Sequence, residues 1–219
     1  MRDHLRVDVF IRELHQAEES GEWPQFMIMS LGEDHTQGLL GDAYTPVAHV
    51  AANDLGMAKI VEAVSRSKFW PETAIFIIED DAQNGPDHVD AHRTVGLVIS
   101  PWVKRGALDS TMYTTASMVR TMEMILKLPP MTQFDEHATP MYNSFTRDAD
   151  NAVVAALPVE VDLEARNPKG GEADLASRRL DFSDYDRADP DELNRILWEA
   201  LKPGQQMPAP VRSAMLVWR

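Results

Sequence analysis

Thr73-Ala74-Ile75-Phe76-Ile77-Ile78-Glu79-Asp80-Asp81 is the stretch on which the fold turns. Six residues rich in isoleucine, closed by three acids, read as a short strand buried on both faces with a polar exit. Val95-Gly96-Leu97-Val98-Ile99 repeats the pattern, and Phe26-Met27-Ile28-Met29 reads as a third buried strand. Helical patterns lie between them. Leu5, Val9, Phe10 and Leu14 predict an amphipathic helix over residues 3–20, ended by Ser20-Gly21. After a loop containing Gly38 and Gly41, residues 46–67 carry Val50, Leu55, Met57, Ile60, Val61 and Val64 on a helical period. Thr114 or Thr115 can cap a further helix to about Lys127, with Met118, Val119, Met122, Ile125 and Leu126 on one face and Pro129-Pro130 as its stop. Strands alternating with helices predict an α/β sandwich.

From about residue 150 the periodicity weakens, with Asn167-Pro168-Lys169-Gly170-Gly171 as loop and one convincing helix from Pro190 to about Leu201. Residues 1–149 are therefore expected to form the main unit and 150–219 a peripheral, partly irregular tail.

The chain has 219 residues, 44% of them hydrophobic, which suffices for one domain with a core. No apolar run approaches the roughly 20 residues of a membrane span, and the opening Met1-Arg2-Asp3-His4 lacks the apolar stretch of a signal peptide. A formal charge of −14 with no basic cluster argues against nucleic acid. An anionic substrate would need local positive charge, and a bound divalent cation is the simplest source. With no cysteine, any metal must be held by Asp, Glu and His.

Those residues gather around the predicted strands: Glu33-Asp34-His35-Thr36 after the first, Glu79-Asp80-Asp81 after the second, Asp87-His88-Val89-Asp90-Ala91-His92 before the third. Ligands of open α/β sheets bind beyond the carboxyl ends of strands, where the first two clusters lie. For His92 to join them, the strand that it precedes must run antiparallel to 73–78. Carboxylates and imidazoles suit zinc, manganese and iron. Each piece alone also has a plain reading: Asp80-Asp81 as a cap or solvated turn, Asp34-His35 as a loop pair, Asp87, His88 and Asp90 as loop residues or partners of a ligand. Two other motifs fail. His88 and His92 have zinc-protease spacing, but Val89 stands where the glutamate base belongs, and a calcium loop from Asp80 would have Ala82 and Ala91 at ligand positions.

Met29-Ser30-Leu31-Gly32-Glu33-Asp34-His35-Thr36-Gln37-Gly38, Asn53-Asp54-Leu55-Gly56, Ile78 to Gly85 and Asp90-Ala91-His92-Arg93-Thr94, taken in order, resemble the bacterial phosphoesterases that include acid phosphatase and non-specific phospholipase C. These belong to the alkaline-phosphatase superfamily, and the similarity spans roughly residues 20–145. The resemblance implies an alkaline-phosphatase-like three-layer α/β sandwich with a mixed, mostly parallel sheet, here incomplete on its N-terminal side. It implies metal ligands at Asp34, His35, Asp80, Asp81 and His92, with His35, Asp80 and His92 in catalytic positions. The cofactor would be a divalent zinc, manganese, iron or calcium ion, and the substrate a small phosphate ester. Leu31 stands where many relatives have an Asp four residues before the first His, so one-metal chemistry stays open beside a two-metal site. In such enzymes an earlier segment carries a Ser or Thr nucleophile. Ser20 and Ser30 lack the required strand-to-helix setting, so the expectation is a C-terminal half whose missing N-terminal half, which in similar sequences follows a β-propeller, holds the nucleophile. The resemblance also implies a periplasmic or secreted setting. A non-catalytic acidic metal-binding or interaction module, and a sulfatase or phosphoglycerate mutase relative, remain as alternatives.

Overall fold

In a computed structural model of the chain, residues 2–184 and 187–212 are described. Two long helices form the base. Helix α1 (Asp3–Ser20) ends where Gly21 takes a left-handed φ of 79° and donates its N–H to the Ala17 carbonyl. Helix α2 (Pro46–Arg66) starts at Thr45, whose hydroxyl accepts from Ala48 N at 3.1 Å, with Pro46 in the first turn.

The stripe that α1 buries is Asp3, Val7, Phe10, Leu14 and Ala17, one residue per turn, and Leu5 and Val9 point outward at 51% and 42% exposure. The apolar pattern placed Phe10 and Leu14 on this face and missed it at Leu5 and Val9, because the first buried position is a carboxylate. On α2 the buried side is mostly small: Ala48, Ala52, Asn53 and Gly56, with Val61 and Val64 further on, while Val50 is exposed. Small residues let the two helices approach closely. A Cβ on Gly56 would already lie 3.4 Å from the Asp3 backbone.

The core lies where the far ends of α1 and α2 meet the strands. Leu14, Val64 and Trp70 are buried together, with Phe10, Trp23, Ile60, Phe69, Ile75, Ile99 and Val154 against them. Trp23 stacks on Phe69 with centroids 5.4 Å apart and meets Phe10 edge-on at 5.9 Å.

Strands β1 (Ile75–Ile78) and β2 (Gly96–Ile99) pair antiparallel, Ile75 opposite Ile99 and Ile78 opposite Gly96. The antiparallel course needed to return His92 toward the acids is thus present. The strands are not buried on both faces as expected: Ile78 and Leu97 are exposed, since the core covers only the Ile75–Ile99 end. Residues 26–29 form no ladder, and all four side chains are exposed, because no neighbouring strand among the described residues takes up their backbone groups. The one described sheet has two strands. A three-layer sandwich with a mostly parallel sheet has more strands than this pair.

Helix α3 (Thr115–Leu126) is closed at its start by a capping box between Thr114 and Ser117. Its buried residues are Ser117, Met118, Thr121 and Glu123, whereas Ile125 is half exposed. A single turn, α4 (Gln133–Glu136), follows, capped by Thr132 and Asp135.

Beyond residue 150 the chain folds back over the rest. Helices α5 (Glu172–Ser177) and α6 (Pro190–Leu201) are joined to distant loops by hydrogen bonds. Asn167 Nδ2 donates to the carbonyls of Leu40 and Tyr44 at 3.2 Å each, Asp174 accepts from Gly41 N at 2.8 Å, and Ser177 Oγ accepts from Leu39 N at 2.8 Å. Gly38 and Gly41 make room for this contact. Cβ atoms there would fall 2.9 Å from Ser177 Oγ and 3.0 Å from Asp174 Oδ2, and Gly38 also holds a φ of 58°. The ring of Tyr44 faces the guanidinium of Arg166 at 4.1 Å and that of Arg2 at 3.8 Å.

Candidate functional site

The loop carrying Glu33, Asp34 and His35 is fixed from below by a buried polar network. Asp3, 1% exposed, accepts from Glu33 N at 2.7 Å and from Asn53 Nδ2 at 3.2 Å, while its own N–H donates to Glu33 Oε2 at 2.6 Å. Asn53 Nδ2 also donates to the Leu31 carbonyl at 3.0 Å and reaches Asp34 Oδ1 at 3.5 Å. Arg2 pairs with Glu33, balancing part of the negative charge. His49 borders the same network. Burial lowers its pKa, favouring the neutral ring, against the opposing pull of Glu33.

Asp34 is thereby held against the acids that follow β1. Partial burial of the Glu79 carboxyl, then its hydrogen bond to Asp34 and the charges of Asp34, Asp80 and Asp81, raise the Glu79 pKa to about 7. Glu79 as a residue stays exposed, so water screens part of this crowding of like charges. Below that pH a protonated Glu79 donates to the Asp34 carboxylate and stands in for a missing positive charge. Glu79 N also donates to the Val95 carbonyl at 3.1 Å, extending the strand pair to the loop mouth.

The loop between β1 and β2 is organised by its own acids. Asp81 accepts from Gln83 N at 3.2 Å, the solvated-turn role weighed for it in the sequence, and Gln83 and Asn84 follow with φ of 49° and 53°. Asp87 accepts from Val89 N at 2.6 Å and Asp90 N at 3.0 Å and takes a two-pronged contact from Arg93, which lower its pKa to about 2. The nearly buried Asp90 accepts from His92 N at 2.9 Å and from His92 Nδ1–H at 2.7 Å. That contact turns the lone pair of Nε2 outward from Asp90, the usual way a carboxylate prepares a histidine to bind metal. The tail completes the loop: Asn194 Nδ2 donates to the Gln83 carbonyl at 2.7 Å, Ala91 N donates to the Val211 carbonyl at 2.7 Å, and Val211 N to the Asp87 carbonyl at 3.2 Å.

Of the five ligand candidates, Asp34, Asp80 and Asp81 thus share one electrostatic neighbourhood. His35 is exposed on the Asp34 loop, and His92, 43% exposed, is engaged by Asp90. Among the described residues, no three His, Asp or Glu side chains converge on a point that one cation could fill. The donor chemistry fits a hard or borderline divalent ion, but the spacing in this arrangement is not a finished chelate. Sequence reasoning passed over Glu79 and Asn53 as site residues. Glu79 was visible as the first acid after the strand, but Asn53 is recognisable only once α2 is docked on α1. No family model, curated protein or solved structure matches the chain.

The shared proton gives a direct test. The folded-state pKa of Glu79, about 7, lies above its ordinary 4.5. Its stabilising contribution is therefore full below about pH 4.5 and is lost as pH rises through about 7. In chelator-containing buffer, the melting temperature is expected to fall between about pH 5 and about pH 8. Glu79→Gln, which keeps an N–H donor for Asp34, should flatten that fall, and parallel profiles for both proteins would rule out the shared proton.

Proposed function

We propose that this chain supplies the metal-binding part of a phosphoester hydrolase, acting on phosphomonoesters or phosphodiesters, within an alkaline-phosphatase-like sandwich. The observation that carries this reading is the gathering of Asp34, Glu79, Asp80 and Asp81 at the exit of β1, with Glu79 hydrogen-bonded to Asp34, where a cation would offset the accumulated negative charge. Asp34, Asp80 and Asp81 would contribute oxygens, and His35 and His92 nitrogens, to a zinc, manganese, iron or calcium ion. When bound, such an ion supplies positive charge for a phosphoryl group and acidifies water. The chain's own residues do the positioning: Asn53 and Asp3 hold the Asp34 loop, and Asp90 orients the His92 ring. Asp80, His35 and His92 are the catalytic candidates. In this reading the nucleophilic hydroxyl comes from a polypeptide segment outside these 219 residues, and the full enzyme works in a periplasmic or extracellular setting.

Elemental analysis of the purified chain, paired with p-nitrophenyl phosphate hydrolysis with and without chelator, tests the reading. Bound divalent metal that is lost in Asp80→Ala, with at most weak turnover, is the expected result. Replacing Asp81 or His92 by Ala in an enzyme that also contains the nucleophile segment should abolish turnover. Wild-type rates in both variants would refute the assignment.

A non-catalytic acidic module that binds metal or a protein is favoured by one observation, the unconverged arrangement of the candidate ligands. Absence of metal from the wild-type chain would select it. Faster hydrolysis of p-nitrophenyl sulfate than of the phosphate would instead select the sulfatase branch.

A further inference from the structure

No helix among the described residues is long and apolar enough to cross a membrane. Helix α1 instead carries Glu13, Glu18 and Glu19 over its closing turns, with no basic residue in the last one. Between those turns and residues 22–27 lies an open groove of about 360 Å³. At about 1.5 Å of rise per residue, it stands on the order of 20 Å along α1 from Asp3 and the Asp34 loop.

The walls of the groove are aromatic and acidic. Trp23 and Phe10 meet at 62° with centroids 5.9 Å apart, Ala17 and Met27 add apolar surface, and Glu13 and Glu22 supply charge. Among the described residues no lysine, arginine or histidine lines it. Neither lining carboxylate has a hydrogen-bond or ion-pair partner among them, whereas the neighbouring Glu18 is engaged by His15 and by the Lys68 backbone N–H. The same aromatic stack already attracts one cation. Phe69 lies nearly parallel to Trp23 at 5.4 Å, and the Lys68 ammonium is 5.3 Å from the Phe69 centroid.

The two carboxylates, the ring electrons and the carbonyl end of α1 all favour a positive charge in the groove. A bare metal ion fits poorly, because no three His, Asp or Glu side chains converge there and much of the lining is apolar. A neutral apolar molecule would leave the acids unanswered. We infer that this groove binds a small organic ammonium, its apolar body on Phe10, Trp23 and Met27 and its N–H groups toward Glu13 and Glu22. The site is independent of metal and of the hydrolase reading.

The test titrates the whole chain, in chelator-containing buffer at low salt and near neutral pH, with protonated benzylamine and with benzyl alcohol, a neutral molecule of nearly the same size. The indole N–H resonance of Trp23, assigned with Trp23→Phe, reports on the groove. Benzylamine is expected to shift it saturably and to bind at least about tenfold more tightly than the alcohol. Replacing both lining acids, Glu13→Gln with Glu22→Gln, should shrink that preference to below about twofold. Both side chains are exposed, so the amide variant keeps the fold, and Glu19→Gln, outside the lining, should keep the preference. N-acetyl-lysine amide is the third probe and should bind more weakly than benzylamine. Absence of a saturable Trp23 shift, equal affinity for amine and alcohol, or an undiminished preference in the double variant would overturn the inference. Tighter binding of N-acetyl-lysine amide would also overturn it, assigning the groove to a lysine of a protein partner.

Discussion

Leu14→Ala is expected to lower the unfolding free energy by about 2–5 kcal/mol, the range for truncating a buried leucine. Leu14 is fully buried at the meeting point of α1, α2 and the β1–β2 ladder, touching the Val64 and Trp70 core. Among the described residues few apolar side chains are completely enclosed, so the loss falls on a core with little reserve. The aromatic group of Phe10, Trp23 and Phe69 is held by stacking and edge contacts and cannot easily collapse into the void. Urea unfolding followed by tryptophan fluorescence and circular dichroism measures the effect. Leu14→Met, which preserves volume, should cost less than about 1.5 kcal/mol. A loss below about 1 kcal/mol for the alanine would mean that the core is centred elsewhere.

The second large effect is expected at Asn53. Its amide donates to Asp3, to the Leu31 carbonyl and toward Asp34, joining the start of α1 to the candidate site. Asn53→Ala removes these donors and leaves the nearly buried Asp3 carboxylate short of a partner, at a cost of about 1–3 kcal/mol. Asn53→Asp should cost more, at least about 3 kcal/mol near neutral pH, because it places a further negative charge between two carboxylates in a buried setting. The introduced Asp must hold a pKa above its unfolded value. Its protonated form therefore restores stability as pH falls, and the gap between the Asp and Ala variants should narrow below about pH 5. Chemical denaturation of both variants at two pH values checks this. A constant gap would show that the site is open enough for water to screen the charge.

Helices α1, α2, α3 and α6 were legible, and their ends carry local chemistry: Gly21 after α1, Thr45-Pro46 before α2, the Thr114 box before α3, and Pro190 at the start of α6; the short α4 and α5 were not, and α5 is a second helix beyond residue 150 where one was expected. Their faces were less legible. A hydrophobic period counts Leu5, Val9 and Val50 as interior, yet the docked faces use Asp3, Asn53 and Gly56, whose value depends on the partner helix. Strands β1 and β2 were readable as apolar runs, and the acids after β1 as a cluster. Residues 26–29 match the same pattern, but a strand needs a neighbour, which composition does not report. The loops around the site depend on Asn167, Asp174, Ser177 and Asn194, more than 100 residues from the backbone groups that they bind. No local signal marks such polar residues as structural.

Those long-range ties set an order of assembly. A chain emerging from the ribosome can form α1, α2 and the hairpin of β1 and β2 early, since their contacts lie within its first 100 residues. The loops at 38–45 and 83–91 acquire their final shape only after residues 165–211 have been made. Loop closure over such separations is slow, and unfinished intermediates expose apolar edges meanwhile. The two loops that flank the acidic centre are therefore the last parts of the described structure to mature, and during synthesis the exposed residues 26–29 offer a transient target for chaperones.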